Sequence, residues 1–222
     1  MNETVGMAAA YNDKPDVYFG EGRHDYIAQL PPNTNAKILE IGCGNGSTGA
    51  LALQAGKCSD YIGVEIFPPA AKVAEGRLTK VHIGNVEDMP LPYPEEHFDA
   101  LILSEVLEHL VDPYLLLSGL VRKVKPSGLV MASSPNISHW RILRNLISGK
   151  FEYQDKGPMD RTHLRWFTPE SFRRMFEDAG VEVLSVGPVA PPRGKARLAA
   201  KILGSGFEHL LFSQVSLIGR RT

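Results

Sequence analysis

One short run constrains this chain more than any other: Ile38-Leu39-Glu40-Ile41-Gly42-Cys43-Gly44-Asn45-Gly46. An apolar stretch that breaks into alternating glycines reads as a buried strand running into a tight turn. Without a Cβ, the turn lets backbone N–H groups approach a ligand closely. In open α/β sheets such ligands sit beyond the carboxyl ends of the strands. The pattern Gly42-x-Gly44-x-Gly46 alone suits a nicotinamide-type site or a plain structural turn equally well.

The rest of the chain repeats the alternation. Strands are expected at 36–41, 61–65, 81–83, 98–103, 128–133, 181–186 and 211–219. Helices are expected at 24–30, 47–55, 69–77, 113–123 and 168–179, with one more after a Pro/Gly/basic loop at 187–197. Stretch 98–103 is nearly all apolar, as a strand covered on both faces must be. Thr168 is placed as an N-cap, with Pro169 in the first turn and Gly180 just past the end. The fold class is therefore α/β: a doubly wound, mostly parallel seven-stranded sheet, its last two strands forming an antiparallel edge. All 222 residues are read as one domain. Residues 1–33, with Tyr18 and Arg23, are expected to form a lid. Residues 135–165 show no clear period and are read as an insertion over the acceptor side.

Composition narrows the partners. The formal net charge of −1 argues against holding nucleic acid through bulk charge, so no stable nucleic-acid complex is expected. Cys43 and Cys58 have no metal-type spacing, and Cys43 lies inside the glycine loop; reduced thiols and a cytoplasmic location follow. No signal peptide is apparent and no apolar run reaches the ~20 residues of a membrane span.

Three carboxylate or amide positions sharpen the ligand. Glu40, just before the glycines, suits a cationic, amine-bearing ligand and opposes a pyrophosphate; its alternative is a solvated strand-end charge. Glu65 ends the second strand, where a carboxylate can accept both hydroxyls of a ribose. Asn85 follows the third strand and can bond an adenine amine or simply close a turn. A pyrophosphate-type G-x-G-x-x-G exists only as Gly44-x-Gly46-x-x-Gly49, too far into the helix for an oxidoreductase.

On the acceptor side, Glu105-Val106-Leu107-Glu108-His109 follows the fourth strand, and helical spacing would gather its three polar residues on one turn. Two carboxylates and an imidazole can bind a divalent cation or supply a general base, or merely cap the helix. Ser134-Pro135-Asn136 is expected to line an acceptor pocket. His139, Trp140, Arg141, Arg144 and Lys150, with Arg161, Arg165, Arg173 and Arg174, form either a basic acceptor surface or a solvated face.

The runs ILEIGCGNGSTG, GVE, GNVEDMPLP and FDALILSEVLEHLVDP resemble the class I S-adenosylmethionine (SAM)-dependent methyltransferases. The likeness is greatest to the branch with ubiquinone-pathway O-methyltransferases and sugar or polysaccharide methyltransferases. It covers roughly residues 18–185 and implies a Rossmann-like fold. It implies SAM, with S-adenosylhomocysteine (SAH) as product: Glu40, Gly42 and Gly44 at the methionine portion, Glu65 at the ribose, Asn85 and Val86 at the adenine. Cys43, Gly46, Ile66 and Ser104 complete the expected cofactor residues. The family often has Asp where this chain has Asn85. The segment Thr162-His163…Phe167-Thr168-Pro169 is similar to one shared by ubiquinone-type and small-RNA 2′-O-methyltransferases, where it accompanies an ExxEH turn. That likeness implies Glu105, Glu108, His109 and His163 as ligands of Mg²⁺ or a similar ion, and His163 or His109 as the catalytic base. The expected reaction is methyl transfer to a hydroxyl of a small molecule, a sugar or glycan intermediate or a quinone-type metabolite. An RNA 2′-O-methyltransferase and a non-catalytic SAM-binding protein are the alternatives. The oligomeric state is left open, with a homodimer among the possibilities.

Overall fold

The computed structural model describes residues 22–190, 194, 204 and 206–222. Most of the expected lid, including Tyr18, and the helix expected after 187–197 lie outside the described residues. The chain runs α1 (His24–Gln29), β1 (Lys37–Ile41), α2 (Ser47–Gln54), β2 (Asp60–Glu65), α3 (Pro68–Glu75), β3 (Lys80–Ile83) and β4 (Phe98–Ser104). It continues through a 3₁₀ turn (Leu107–His109), α4 (Pro113–Arg122), β5 (Val124–Pro135), α5 (Trp140–Ile147), α6 (Pro169–Asp178), β6 (Val181–Pro188), a second 3₁₀ turn (Glu208–Leu211) and β7 (Gln214–Arg221).

The seven strands form one sheet in the order β3-β2-β1-β4-β5-β7-β6. The first five are mutually parallel, and β7 is antiparallel to both neighbours. Order reverses between β1 and β4, which opens a crevice at their carboxyl ends. Alternation along the strands feeds two cores. Leu39, Ile41, Leu101 and Leu103 pack on Leu117, Leu120, Phe172 and Phe176 of α4 and α6. Ile38, Ala100 and Ile102 face Tyr26, Ala52 and Ala74 of α1, α2 and α3. Both faces are thus covered, as the apolar run of β4 requires.

The ends of α6 follow the expected chemistry. Thr168 Oγ1 accepts from the Ser171 N–H while Ser171 Oγ accepts from the Thr168 N–H, a reciprocal cap, and Pro169 opens the helix. Elsewhere the structure corrects the sequence reading. β5 begins at Val124 rather than 128, because Ser127 takes a left-handed φ of 62° and bulges without ending the strand. The last strand starts at Gln214 rather than 211, since Glu208–Leu211 coils into the 3₁₀ turn. The stretch read as lacking a period contains α5, whose residues segregate cleanly into apolar and polar halves. Its eight-residue length and aromatic, basic neighbours hid a period that is present.

Candidate active site

The glycine loop leaves β1 at the crevice. Gly42, Gly44 and Gly46 all have positive φ, at 69°, 55° and 78°. A Cβ on Gly42 would lie 2.5 Å from Val106 Cγ2, so this position also admits the neighbouring acceptor-side turn. Gly46 differs: a Cβ there would press on Ala74 and Leu78 at 3.1 Å. It lies outside the cavity lining and packs the loop against α3.

A cavity of about 570 Å³ opens above this loop. Its walls include Glu40, Gly42, Cys43, Gly44, Glu65, Ile66, Asn85, Val86 and Ser104, nine of the ten expected cofactor residues. Glu40 is buried, not solvated, and its Oε2 accepts from Tyr61 Oη at 2.9 Å. Burial pushes its carboxyl up to about 7, against the pull of Tyr61 and Thr48. Glu65 is also buried. Its Oε2 accepts from the Gly44 N–H at 2.8 Å and its Oε1 from the Phe67 N–H at 2.8 Å, so it ties the glycine loop to the end of β2. Burial raises its pKa, opposed by those N–H groups. Asn85 both lines the cavity and closes a turn: its Oδ1 accepts from the Glu87 N–H and its Nδ2 donates to Asp88 Oδ2. The Cys43 thiol is buried beneath Gly63, and burial drives its pKa far up, leaving an inert group.

Arg23 reaches into the cavity from just before α1. Its guanidinium donates to Ser104 Oγ at 2.6 Å and Ser133 Oγ at 2.9 Å, pairs with Asp25 at 2.7 Å and stacks 3.8 Å from the Tyr26 ring centroid. The sequence located Arg23 near a lid; nothing local could show that it spans to the ends of β4 and β5.

The same cavity continues past Glu105 to Glu108, His109, Asp160 and His163. The expected helical turn is absent. Glu105 takes a left-handed φ of 55°, and Leu107–His109 is a single 3₁₀ turn. Glu105 stays within electrostatic reach of Glu108, and its Oε2 accepts from Gln214 Nε2 at 3.0 Å. Glu108, His109 and His163 each offer one ligand atom, all within 4.8 Å of one another. Glu105 falls outside that group, which corrects the four-residue ligand set. Glu108 is almost completely buried; Ser134 Oγ donates to its Oε2 at 3.1 Å while Oε1 has no hydrogen-bond partner. Burial and the adjacent Glu105 charge hold its carboxyl well above the usual carboxylate range.

The two imidazoles meet edge to face at 4.8 Å. His109 Nδ1 lies 3.2 Å from the Thr162 carbonyl, and His163 Nδ1 lies 3.2 Å from the Pro158 carbonyl. Because a carbonyl only accepts, both Nδ1 atoms carry the proton, and in the neutral rings Nε2 is the basic atom. The loop that carries His163 is sewn to the turn by Leu164 and Arg165 N–H groups, which both donate to the Glu108 carbonyl.

Two acceptor-side groups contribute little to the cavity wall. Asn136 is fully buried and consumes its side chain internally, donating to the His209 and Phe212 carbonyls and accepting from Ser138, so only Pro135 of that turn lines the cavity. The basic residues of α5 and α6 do not line it; Arg173 and Arg174 pair with Glu177 and Glu170 on α6 itself. Lys156, Gly157, Pro158 and Gln214 line it instead, residues whose sequence context carries no signal.

Comparison with known proteins agrees with this geometry. Residues 19–186 match the family model described as a methyltransferase domain. The chain is 28% identical over 165 residues to the ubiquinone biosynthesis O-methyltransferase of Thiobacillus denitrificans, covering 71% of this chain and 69% of that protein. It is 27% identical over 195 residues to the protein of the same name from Xylella fastidiosa, with 79% and 74% covered. A SAM-dependent methyltransferase from Archaeoglobus fulgidus shares the fold, with a TM-score of 0.63 at 22% identity over 93% of this chain and 97% of that one. So does a chain from the complex between the Haloferax volcanii Trm112 methyltransferase activator and the putative methyltransferase, with a TM-score of 0.67 at 18% identity over 99% and 98%. The chain belongs to the methyltransferase-domain family and is a class I SAM-dependent methyltransferase with a Rossmann-like fold.

Proposed function

We propose that this methyltransferase acts on a hydroxyl of a small acceptor, a sugar or glycan intermediate or a quinone-type metabolite. One observation carries the reading: a single cavity joins the glycine loop to the Glu108–His109–His163 group. A methyl donor held at the loop therefore faces a cluster able to take or share a hydroxyl proton. The O-methyltransferase names of relatives at 28% and 27% identity support the choice of oxygen. SAM supplies an already activated methyl group, so the protein's task is to position the acceptor and remove one proton.

Each residue has a part in this reading. Glu40 faces the amino-acid end of the cofactor, Glu65 the ribose, and Ile66 and Val86 the adenine. Arg23, held on Ser104 and Ser133, offers a cation to the cofactor carboxylate. His163 or His109 receives the acceptor proton at Nε2. The acceptor enters beside Lys156 and Pro158, whose place in the cavity wall supports the 135–165 stretch as the acceptor-side segment.

The residues present also fit a divalent cation. Glu108 brings a buried carboxylate with one unpartnered oxygen beside two imidazoles whose Nδ1 atoms face backbone carbonyls, the arrangement that orients histidine ligands. Bound there, Mg²⁺ or a similar ion would acidify a coordinated hydroxyl. The test is SAM turnover on a panel of catechols and sugars, with and without chelator. Product mass should rise by one methyl on oxygen. SAH binding without turnover on any hydroxyl acceptor would refute the assignment.

A further inference from the structure

α5 carries more apolar surface than the body of the protein covers. At 100° per residue, Ile142, Leu143, Leu146, Ile147 and Trp140 share one half of the helix, and Arg141, Arg144 and Asn145 the other. Only Ile142 is buried. Ile147 is 88% exposed and Trp140 42%, and Phe151, just beyond the helix, is 49% exposed. An isoleucine left so open at the end of an apolar face is an uncovered contact surface.

Its surroundings point to the kind of partner. The guanidinium carbons of Arg141 and Arg144 lie 5.4 and 5.6 Å from the Trp140 ring centroid, which fixes the ring at the border between the two halves. Lys150 follows directly. Across residues 140–165 there are six Lys and Arg against three Asp and Glu, while the whole chain carries −1. The segment therefore carries a formal net charge of +3 beside this apolar face.

We infer that α5 and the residues after it form a docking surface for an anionic lipid membrane. Trp140 and Ile147 enter the headgroup boundary, and Arg141, Arg144 and Lys150 pair with lipid phosphates. A protein partner fits less well, because like charges around an apolar centre need an opposed acidic surface of matching shape. A second copy fits worse: a two-fold contact would set the same cations against one another. The surface stands on these observations alone. Its use rests on the reading above: Lys156, Gly157 and Pro158 of the same segment line the cavity, so docking would bring the acceptor entrance to a membrane-borne substrate.

Vesicle co-sedimentation of the full chain tests this. Mixed phosphatidylcholine–phosphatidylglycerol vesicles should pellet the protein, and phosphatidylcholine alone should not. Arg144→Glu and Ile147→Ser should each cut the partition coefficient several-fold, and together tenfold or more, at about one lipid-facing charge and one apolar anchor lost. Both positions are exposed, so circular dichroism and SAH calorimetry should be unchanged in the variants. Absence of pelleting, or pelleting equal in all variants, overturns the inference. So does sedimentation equilibrium showing a dimer that Ile147→Ser dissolves. Failure of every preparation to bind SAH would instead sink the cofactor-site assignment and leave the vesicle result standing.

Discussion

Glu40→Gln should change how stability depends on pH. The folded protein holds the Glu40 proton up to about pH 7, whereas an unburied carboxyl releases it near 4.5. Below 4.5 both states are protonated, and burial of the side chain carries no ionic penalty. Between 4.5 and 7 the unfolded chain loses its proton while the folded one keeps it, so rising pH favours unfolding. At 1.36 kcal/mol per pH unit, the displacement from 4.5 to about 7 amounts to roughly 3 kcal/mol, lost over that window and flat above it. Glutamine keeps an oxygen for Tyr61 Oη to donate to and has nothing to titrate. Urea unfolding of both proteins from pH 4.5 to 8 is the assay. Glu65 sits within electrostatic reach of Glu40, so the difference between the two proteins, rather than either curve, is the quantity to follow. That difference should move by about 3 kcal/mol in favour of the variant as pH rises. Curves that stay parallel would show that Glu40 ionises freely in the fold and refute the reasoning. With SAH present, the wild type should bind more tightly above pH 7, where the carboxylate can meet the ligand ammonium, and the variant should lose that dependence.

Glu65→Ala strips the Gly44 and Phe67 N–H groups of their partner, at about 1–3 kcal/mol each, so both thermal midpoint and SAH affinity should fall; calorimetry showing unchanged affinity would remove Glu65 from the site. His163→Ala should leave SAH affinity within about threefold, since a change of well under 1 kcal/mol is expected away from the cofactor, yet abolish most turnover; full activity would acquit it. Gly46→Ala, at φ 78° and against Ala74 and Leu78, should cost about 1–3 kcal/mol of stability without altering SAH affinity in the protein that remains folded. A lowered affinity at full stability would return Gly46 to the cofactor.

What could be read in the chain depended on how local the cause was. The glycine loop, the acidic end of β2 and the Thr168 cap are set by residues a few positions apart, and each stands where the sequence placed it. The nearly all-apolar run at 98–103 likewise marked a strand covered on both faces, as β4 is. The errors share a different cause. Glu105 and Glu108 look like partners on one helical turn, but the left-handed backbone at Glu105 breaks that turn, and its carboxylate accepts from Gln214, 109 residues away. Asn136 looks like a pocket residue because it follows a Pro-fixed turn and offers both donor and acceptor groups, yet the His209 and Phe212 carbonyls before β7 claim its amide.

The acceptor side is therefore the product of long-range closure, and the cofactor side of local geometry. His163 becomes a neighbour of His109 only because two N–H groups of its loop bind the Glu108 carbonyl. Arg23 is the exception on the cofactor side, reaching Ser104 and Ser133 across 81 and 110 positions. This division fits the chemistry expected of each half. A loop that meets one invariant cofactor can be written in a dozen consecutive residues. A pocket that must suit a particular acceptor is assembled from segments that can change independently, and α5, with its uncovered apolar edge, belongs to that assembled half.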